Sequence, residues 1–394
     1  MKTPRPRLPL ILTTTIASAA ALLSSHAQGF LSGSTGADGA LLVTANRVLD
    51  LPSDGIFHFT TIEVRAGATL SFKPNALNTP VHLLATGNVV IEGRIEVNAG
   101  NGSANPPVGG LGGPGGFNGG NPGTGAIPPG AGYGPGGARG GTLVFSAPGT
   151  AAGSFGSVGN GGSNNRSTVY GSPLLVPLIG GSGGGGTTGT PGTGGGGGGG
   201  AVLIASSTSI HVPGAIEAIG GNGIVNAADN GGSGGAIRLV APKVSGAGFI
   251  RVGGSDGGGF GRSRVDTLDR RDLALRFEPT GAATVGSLMM VFPTPRPRLD
   301  IIGLATTLIP AGTNAAVFVQ LPFGAPTNQV VRVQATDFSA IVPIRILLTP
   351  DNGEPRAFDF QIDNRQTNPA VLDATVGFHA NTQVAVQVFT RPGS

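Results

Sequence analysis

The chain has 394 residues, enough for two domains and a sizeable core. With 73 Gly and 31 Pro it approaches low-complexity composition, yet 39% hydrophobic content in alternating runs excludes disorder throughout. It has no Cys, which excludes disulfides, and its formal net charge is only +4.

Residues 1–27 read as a secretory signal peptide: Lys2, Arg5 and Arg7 form a basic start, Leu8–Leu23 is apolar, and Ser25-His26-Ala27 is a small-x-small cleavage site. A membrane anchor fits less well, because Thr and Ser interrupt a run barely long enough to span. Removing the three cations leaves 21 basic against 20 acidic residues, so the high isoelectric point is no argument for nucleic acid. The signal segment leads to the expectation of an exported chain, extracellular, at the cell surface or in the periplasm, and no later segment reaches transmembrane length.

Residues 28–80 begin polar and then alternate (Phe57-Phe59, Ile62-Glu63-Val64, Leu70-Ser71-Phe72), as expected of a divergent coil capping a repeat array. Four copies of a repeat of about 22 residues follow, at Val81–Gly102, Gly141–Gly162, Ala201–Gly223 and Ala236–Gly258. Each opens on an alternating apolar run: Val81-Leu83-Ala85, Leu143-Phe145-Ala147, Ala201-Leu203-Ala205 and Ile237-Leu239-Ala241. Each then reaches a shorter one: Ile95-Val97, Phe155-Ser157, Ile216-Ala218 and Ile250-Val252. No copy has a 3.6-residue apolar period, and none can bury its own face. The pattern predicts an all-β fold, a right-handed parallel β-helix (β-solenoid) over 81–296 with glycine-rich insertions.

Alternation points Leu83, Phe145, Leu203 and Leu239 inward. It points His82 and Leu84, Val144 and Ser146, Val202 and Ile204, and Arg238 and Val240 outward. The row Leu84, Val144, Ile204, Val240 is too apolar for a solvated face and requires cover or a docking partner. On the shorter run Glu96, Gly156, Glu217 and Arg251 point outward, and adjacent coils would pair Glu217 with Arg251. The insertions at 103–140 and 163–200 are either mobile or packed as polyproline-II-like strands whose missing side chains let backbones approach.

The segment 259–296 is a transition ending in the extended Pro293–Arg298 linker. Over 297–394 glycine falls and seven β runs appear: Leu299–Ile302, Ala316–Leu321, Val330–Gln334, Val342–Leu348, Ala357–Ile362, Val371–Phe378 and Gln383–Phe389. With a hairpin turn at Asp351-Asn352-Gly353 they predict a small β-sandwich.

Chemistry is sparse. Glu92, Glu96, Glu217, Asp256, Asp266 and Asp269 form no paired-carboxylate motif of the glycosidase kind. The cluster Arg262, Arg264, Asp266, Asp269, Arg270, Arg271, Asp272 reads first as a salt-linked cap and second as a site. His58, His82, His211 and His379 are scattered and read as surface or packing residues. Asn101, Asn222 and Asp256 read as turn residues. Gly231–Gly235 and Gly181-Ser182-Gly183 match nucleophile or phosphate loops only through glycine abundance. No catalytic, cofactor-binding or metal residue is assigned, and no cofactor.

The strings GGSGGAIRLVA and GAIEAIGGNG resemble glycine-rich exported bacterial β-helix proteins, many of them adhesin-like. The resemblance covers about residues 40–265 and implies a structural or adhesive surface protein, with extracellular polysaccharide or other surface proteins as partners. The expectation is a non-enzymatic exported scaffold. The alternative is a carbohydrate-active or carbohydrate-binding β-helix with its site at Arg262–Asp272.

Overall fold

A computed structural model describes residues 29–142, 151–161, 167–189, 192–223 and 230–391. The signal segment and the expected strand at Leu143–Ala147 lie outside them. The described residues are all-β apart from a single 3-10 turn at Thr280–Ala282, and most of the strand pairing is parallel.

Three parallel ladders enclose the main core. The first runs Ile56–Phe59, Val81–Ala85, Ala201–Ser206, Ala236–Ser245, Arg262–Asp269, Ala283–Gly286. The second runs Leu41–Val43, Ile62–Val64, Val89–Ile91, Ser209–His211 and then the second half of Ala236–Ser245. The third runs Arg47–Asp50, Thr69–Lys73, Arg94–Glu96, Ala215–Glu217, Phe249–Arg251, Arg276–Glu278. In mid-stack each pass of the chain adds a strand to each ladder in turn. Strand alternation sends Leu83, Ile91 and Ile95 of one pass, and Ile204, Ile210 and Ile216 of the next, into one buried cluster. Each such side chain contributes about 1.5–3 kcal/mol.

Two sequence expectations fail here. In the third repeat the register is shifted by one: Val202 pairs with Val81 and Ile204 with Leu83. Val202 and Ile204 are therefore core, and Leu203 joins Leu84 and Val240 on the outer row. Ala201 closes the preceding glycine segment, and the register follows the larger side chains into the core. The second repeat, Gly141–Gly162, gives no described strand to the ladders, because Ala201–Ser206 pairs directly with Val81–Ala85. Gly141–Thr142 pairs instead with Thr187–Thr188, and Phe155 packs on Tyr170 at a ring separation of 4.7 Å.

The outer row Leu84, Leu203, Ala205, Val240 is covered by Phe30, Leu178, Met289, Val291 and Phe292. The cover over its last part is a strap, residues 288–292, held by buried charges. Asp266 accepts from Arg264 at 2.7 Å and from Arg238 at 3.1 Å, and also from the Leu288 N–H at 2.9 Å. Arg238 in turn donates to the carbonyls of Leu288 and Met290, at 3.3 and 2.8 Å. Arg238 and Asp266 are both 0% exposed, so each charge depends on the other.

The described parts of the glycine-rich insertions pack into a hydrogen-bonded block on the flank of the ladders. Its centre is the run Gly194–Gly200, where the partners repeat every third residue. Gly194, Gly197 and Gly200 donate to Ser103, Gly100 and Val97; Gly195, Gly198 and Ala201 donate to Gly120, Phe117 and Pro114; Gly196 and Gly199 donate to Asn230 and Ser233. The carbonyls of Gly195 and Gly198 accept from Gly110 and Gly113, those of Gly196 and Gly199 from Gly184 and Gly181, and that of Gly197 from Gly221. A period of three is what a polyproline-II chain produces, since it has three residues per turn and no internal hydrogen bonds. Packing, not mobility, is the outcome for these described glycines. A Cβ on Gly195, Gly196, Gly197 or Gly198 would run into the carbonyl oxygen of Gly184, Gly221, Leu111 or Gly181.

Residues 298–390 form two antiparallel sheets around a second core. One contains Arg298–Leu304, Thr307–Leu308, Asn328–Thr336 and Ala370–Gly377; the other contains Ile341–Pro350, Arg356–Asp363 and Val384–Thr390. Six of the seven expected β runs are paired strands. The seventh, Ala316–Leu321, is an unpaired and mostly exposed loop. The turn at Asp351-Asn352-Gly353 docks on the glycine block: Tyr133 Oη donates to Asp351 Oδ1 at 3.1 Å, and Asn352 Nδ2 to the Pro128 carbonyl at 3.0 Å.

Candidate functional site

A polar constellation lies on the outer face of the third ladder. Ile95, Ile216 and Ile250 turn inward, which sends their neighbours Glu96, Glu217 and Arg251 outward in register, with Glu278 beyond. The expected Glu217–Arg251 pair is present, with Arg251 Nη1 2.8 Å from Glu217 Oε1. Arg94 Nε lies 3.6 Å from the same oxygen, and Arg251 Nε reaches Glu278 Oε2 at 2.7 Å. Gly156, expected in this row, sits in the glycine block and donates to the Phe260 carbonyl.

With no second-repeat strand in between, Glu96 lies directly beside Glu217. Burial pushes the Glu96 carboxyl above the usual range; Arg94 pulls it down and Glu217 pushes it up again. Two glutamates in register on neighbouring strands, which lie about 4.8 Å apart, are the arrangement here that most resembles the paired carboxylates of a glycosidase. Reach argues against that use, because the Glu217 side chain is only 6% exposed and lies between two guanidiniums. Phe249, the aromatic on this face, lies under Arg251 at 4.4 Å and Arg276 at 5.4 Å, so its ring is taken.

The Arg262–Asp272 cluster does not converge. Arg264 and Asp266 are buried under the strap, while Arg262 donates to the Tyr170 carbonyl at 3.1 Å. Asp269 pairs with Arg271 at 2.7 Å, which holds its carboxyl well below the ordinary range. Lys243 pairs with Asp272 at 2.6 Å. Glu92 faces Arg65 at 3.8 Å. Asp256 occupies a turn with φ of 40°, as expected. Asn101 does not: its side-chain oxygen accepts the Asn222 N–H at 2.9 Å, and Asn98 does the same for Ile219 at 2.8 Å, tying one pass to the next.

Among the histidines, His58 and His211 are on the surface, where His211 Nδ1 meets Ser245 Oγ at 3.0 Å. His82 is buried against Phe292, and desolvation, helped by the Arg296 charge, lowers its pKa to about 4. Burial and the Arg356 charge also lower His379. Ser182 and Ser233 exchange hydrogen bonds inside the glycine block and face no open space. No group of three or more metal-ligating side chains comes together among the described residues. A cleft of about 300 Å³ lies between the glycine block and the C-terminal sheets, with Arg139, Ser167, Thr168 and Arg345 among its lining. Both arginines there are engaged, Arg139 by Glu354 at 3.0 Å and Arg345 by Asp359 at 2.7 Å.

Sequence reasoning missed the Glu96–Glu217 contact and the burial of Arg238. The first needed the knowledge that Arg94–Glu96 and Ala215–Glu217 are neighbouring strands. The second had a signal, a lone charge in an otherwise apolar run (AIRLVA), whose partner Asp266 stands two residues past Arg238's register mate Arg264 in the next pass.

The chain matches no family model, no curated protein and no solved structure. No helix among the described residues is long and apolar enough to cross a membrane.

Proposed function

We propose that this protein is an exported, non-enzymatic scaffold of the cell surface or extracellular matrix, working in adhesion or assembly. In this reading the three ladders are the sides of a right-handed parallel β-helix, and the C-terminal sheets form a small β-sandwich. The observation that carries it is the Gly194–Gly200 lattice, whose backbone groups are turned on neighbouring backbone. A large part of the chain goes into rigid, self-satisfied mass, which suits a spacer or platform. The basic-apolar-small order of residues 1–27 supports export. Cell fractionation with N-terminal sequencing tests it. The expected result is a mature chain starting at Gln28 in an extracytoplasmic fraction; an uncleaved chain in the cytoplasm overturns it.

The second reading, a carbohydrate-active or carbohydrate-binding protein, is favoured by the Glu96–Glu217 contact. Turnover on a polysaccharide panel that disappears in Glu96→Gln would establish it. A panel showing neither turnover nor binding rejects it.

A further inference from the structure

The strap over the outer row is held at two places that differ in chemistry. Its start is tied by charge: Asp266 accepts the Leu288 N–H, and Arg238 donates to the Leu288 and Met290 carbonyls. Its end is tied by a neutral contact. The Phe292 ring lies 5.1 Å from the His82 imidazole, centroid to centroid, and the Arg296 guanidinium lies 4.2 Å from the centroid of the same phenyl ring. Among the described residues, the backbone of 288–297 bonds no backbone but its own. The strap's seat therefore depends on side chains.

His82 stands on Val81–Ala85 and turns, with Leu84, to the outer side. Its register mates are apolar, Ile56 on one neighbouring strand and Leu203 on the other. The residue is 6% exposed, and its Nδ1 finds no hydrogen-bond partner among the described residues. Burial first, and then the Arg296 charge, lower its pKa to about 4; the Asp54 charge and the Pro80 and Gly55 backbone oppose them. His58, two places along the strand from Ile56, is engaged by the Thr35 N–H at 3.3 Å. Ala201–Ser206 carries no charged side chain. Protonation puts an N–H on both ring nitrogens. In the closed strap this leaves a buried cation with an unpaired donor, facing a second cation in Arg296. Displacing Phe292 removes both faults, because it admits water to the ring and carries Arg296 away with the strap.

We propose that His82 and Phe292 form an acid-operated latch: when the imidazole takes up a proton, Phe292 lifts with Val291 and Arg296 and uncovers Leu84 and Leu203, while the tie at Leu288 holds. The device goes beyond the scaffold reading and does not depend on it, since its trigger is the acidity of the medium. An open His82 has the ordinary value of 6.5 and a closed one about 4, so the open form binds the proton more readily. The ratio of open to closed strap should rise about 30-fold from pH 8 to pH 5, and at most about 300-fold in stronger acid.

The chain has three methionines, Met1, Met289 and Met290, so methyl-¹³C methionine NMR of the purified full-length protein reads the strap almost alone. Met289→Leu and Met290→Leu assign the signals. From pH 8 to pH 5 the Met289 and Met290 signals should move toward those of a solvated methionine, with circular dichroism unchanged. In His82→Leu, which keeps the site apolar and has no proton to take up, they should stay in place over that range. His82→Gln provides the same comparison if the leucine variant misfolds. Arg296→Gln should weaken the response, because a closed imidazolium then faces no second cation. Wild-type signals that stay in place down to pH 5 overturn the proposal. Equal movement in the His82 variants overturns it too, since the trigger would then be another group such as Asp266. Movement that comes only with loss of circular dichroism also overturns it, because the whole chain would then be unfolding.

Discussion

The ladders and the glycine block are two parts of one chain that exclude water by opposite means. In the ladders the backbone pairs along one direction and side chains fill the space between sheets: Ile204, Leu83 and Ile95 are buried because they are large. In the block, backbone pairs with backbone on all sides, and Gly195 to Gly198 are buried because they have no side chain. The hydrophobic effect stabilises the first. The second relies on satisfied peptide groups and close backbone contact, against the large conformational entropy that glycine loses. Removing atoms should therefore damage one region, and adding them should damage the other.

The largest effect is expected where the ladder face breaks its own rule and buries charge. Asp266→Ala leaves Arg238 and Arg264 without their carboxylate beneath the strap, a loss of about 3–5 kcal/mol. Denaturant unfolding reads the stability, and limited proteolysis near residues 288–292 reads release of the strap. Asp266→Asn, which keeps the shape, should fall between the wild type and the alanine variant.

Next comes the ordinary core. Ile204→Ala should cost about 2–5 kcal/mol, because Ile204 is fully enclosed between Leu83 and Leu239 on neighbouring strands. The position also tests the corrected register. By hydrogen exchange Leu203→Ala should loosen the strap and Ile204→Ala the ladders; were Leu203 the core residue and Ile204 the outer one, the pattern would be reversed.

His82 gives the comparison a pH axis. Its folded pKa of about 4 lies below the ordinary 6.5, because burial and Arg296 disfavour the cation more than Asp54 and the Pro80 and Gly55 backbone favour it. The unfolded chain therefore binds this proton more readily. Its stabilisation is complete above about pH 6.5 and is lost as pH falls toward 4, by up to about 3 kcal/mol. Urea midpoints measured across that window should fall less steeply in His82→Gln than in the wild type.

How much of this was legible follows the same division. Side-chain alternation announced the ladders, the Glu217–Arg251 register and six of the seven C-terminal strands, because period two is written in residue type. It misled where an apolar run lacked a neighbour: Ala316–Leu321 alternates like a strand and finds no edge to pair with. It also misplaced Ile204 by one residue, since Ala201 fits either side of the boundary between glycine segment and strand. The block was hardest to read. A run such as Gly194–Gly200 has no side-chain period, and its order lies in which distant carbonyl each N–H reaches. For the same reason the second repeat looked like a coil, and the Glu96–Glu217 contact stayed hidden until the insertion's return point was known.

The sharpest form of the comparison is a pair of Gly→Ala substitutions, the smallest chemical change available. At Gly197 the added methyl points at the Leu111 carbonyl, with the Gly110 backbone also close, and no flexible side chain is there to yield. Overpacking of this kind costs about 1–3 kcal/mol, and the strain should reach both Gly100 and Gly221, its hydrogen-bond partners. At Gly125, nothing lies within 4 Å of the added atom. There the loss of unfolded-state freedom should make alanine neutral or stabilising by about 0.4–1 kcal/mol. Thermal unfolding of the two variants compares one methyl group in the two environments. Equal midpoints would mean that the block tolerates side chains and that its order does not depend on close backbone contact.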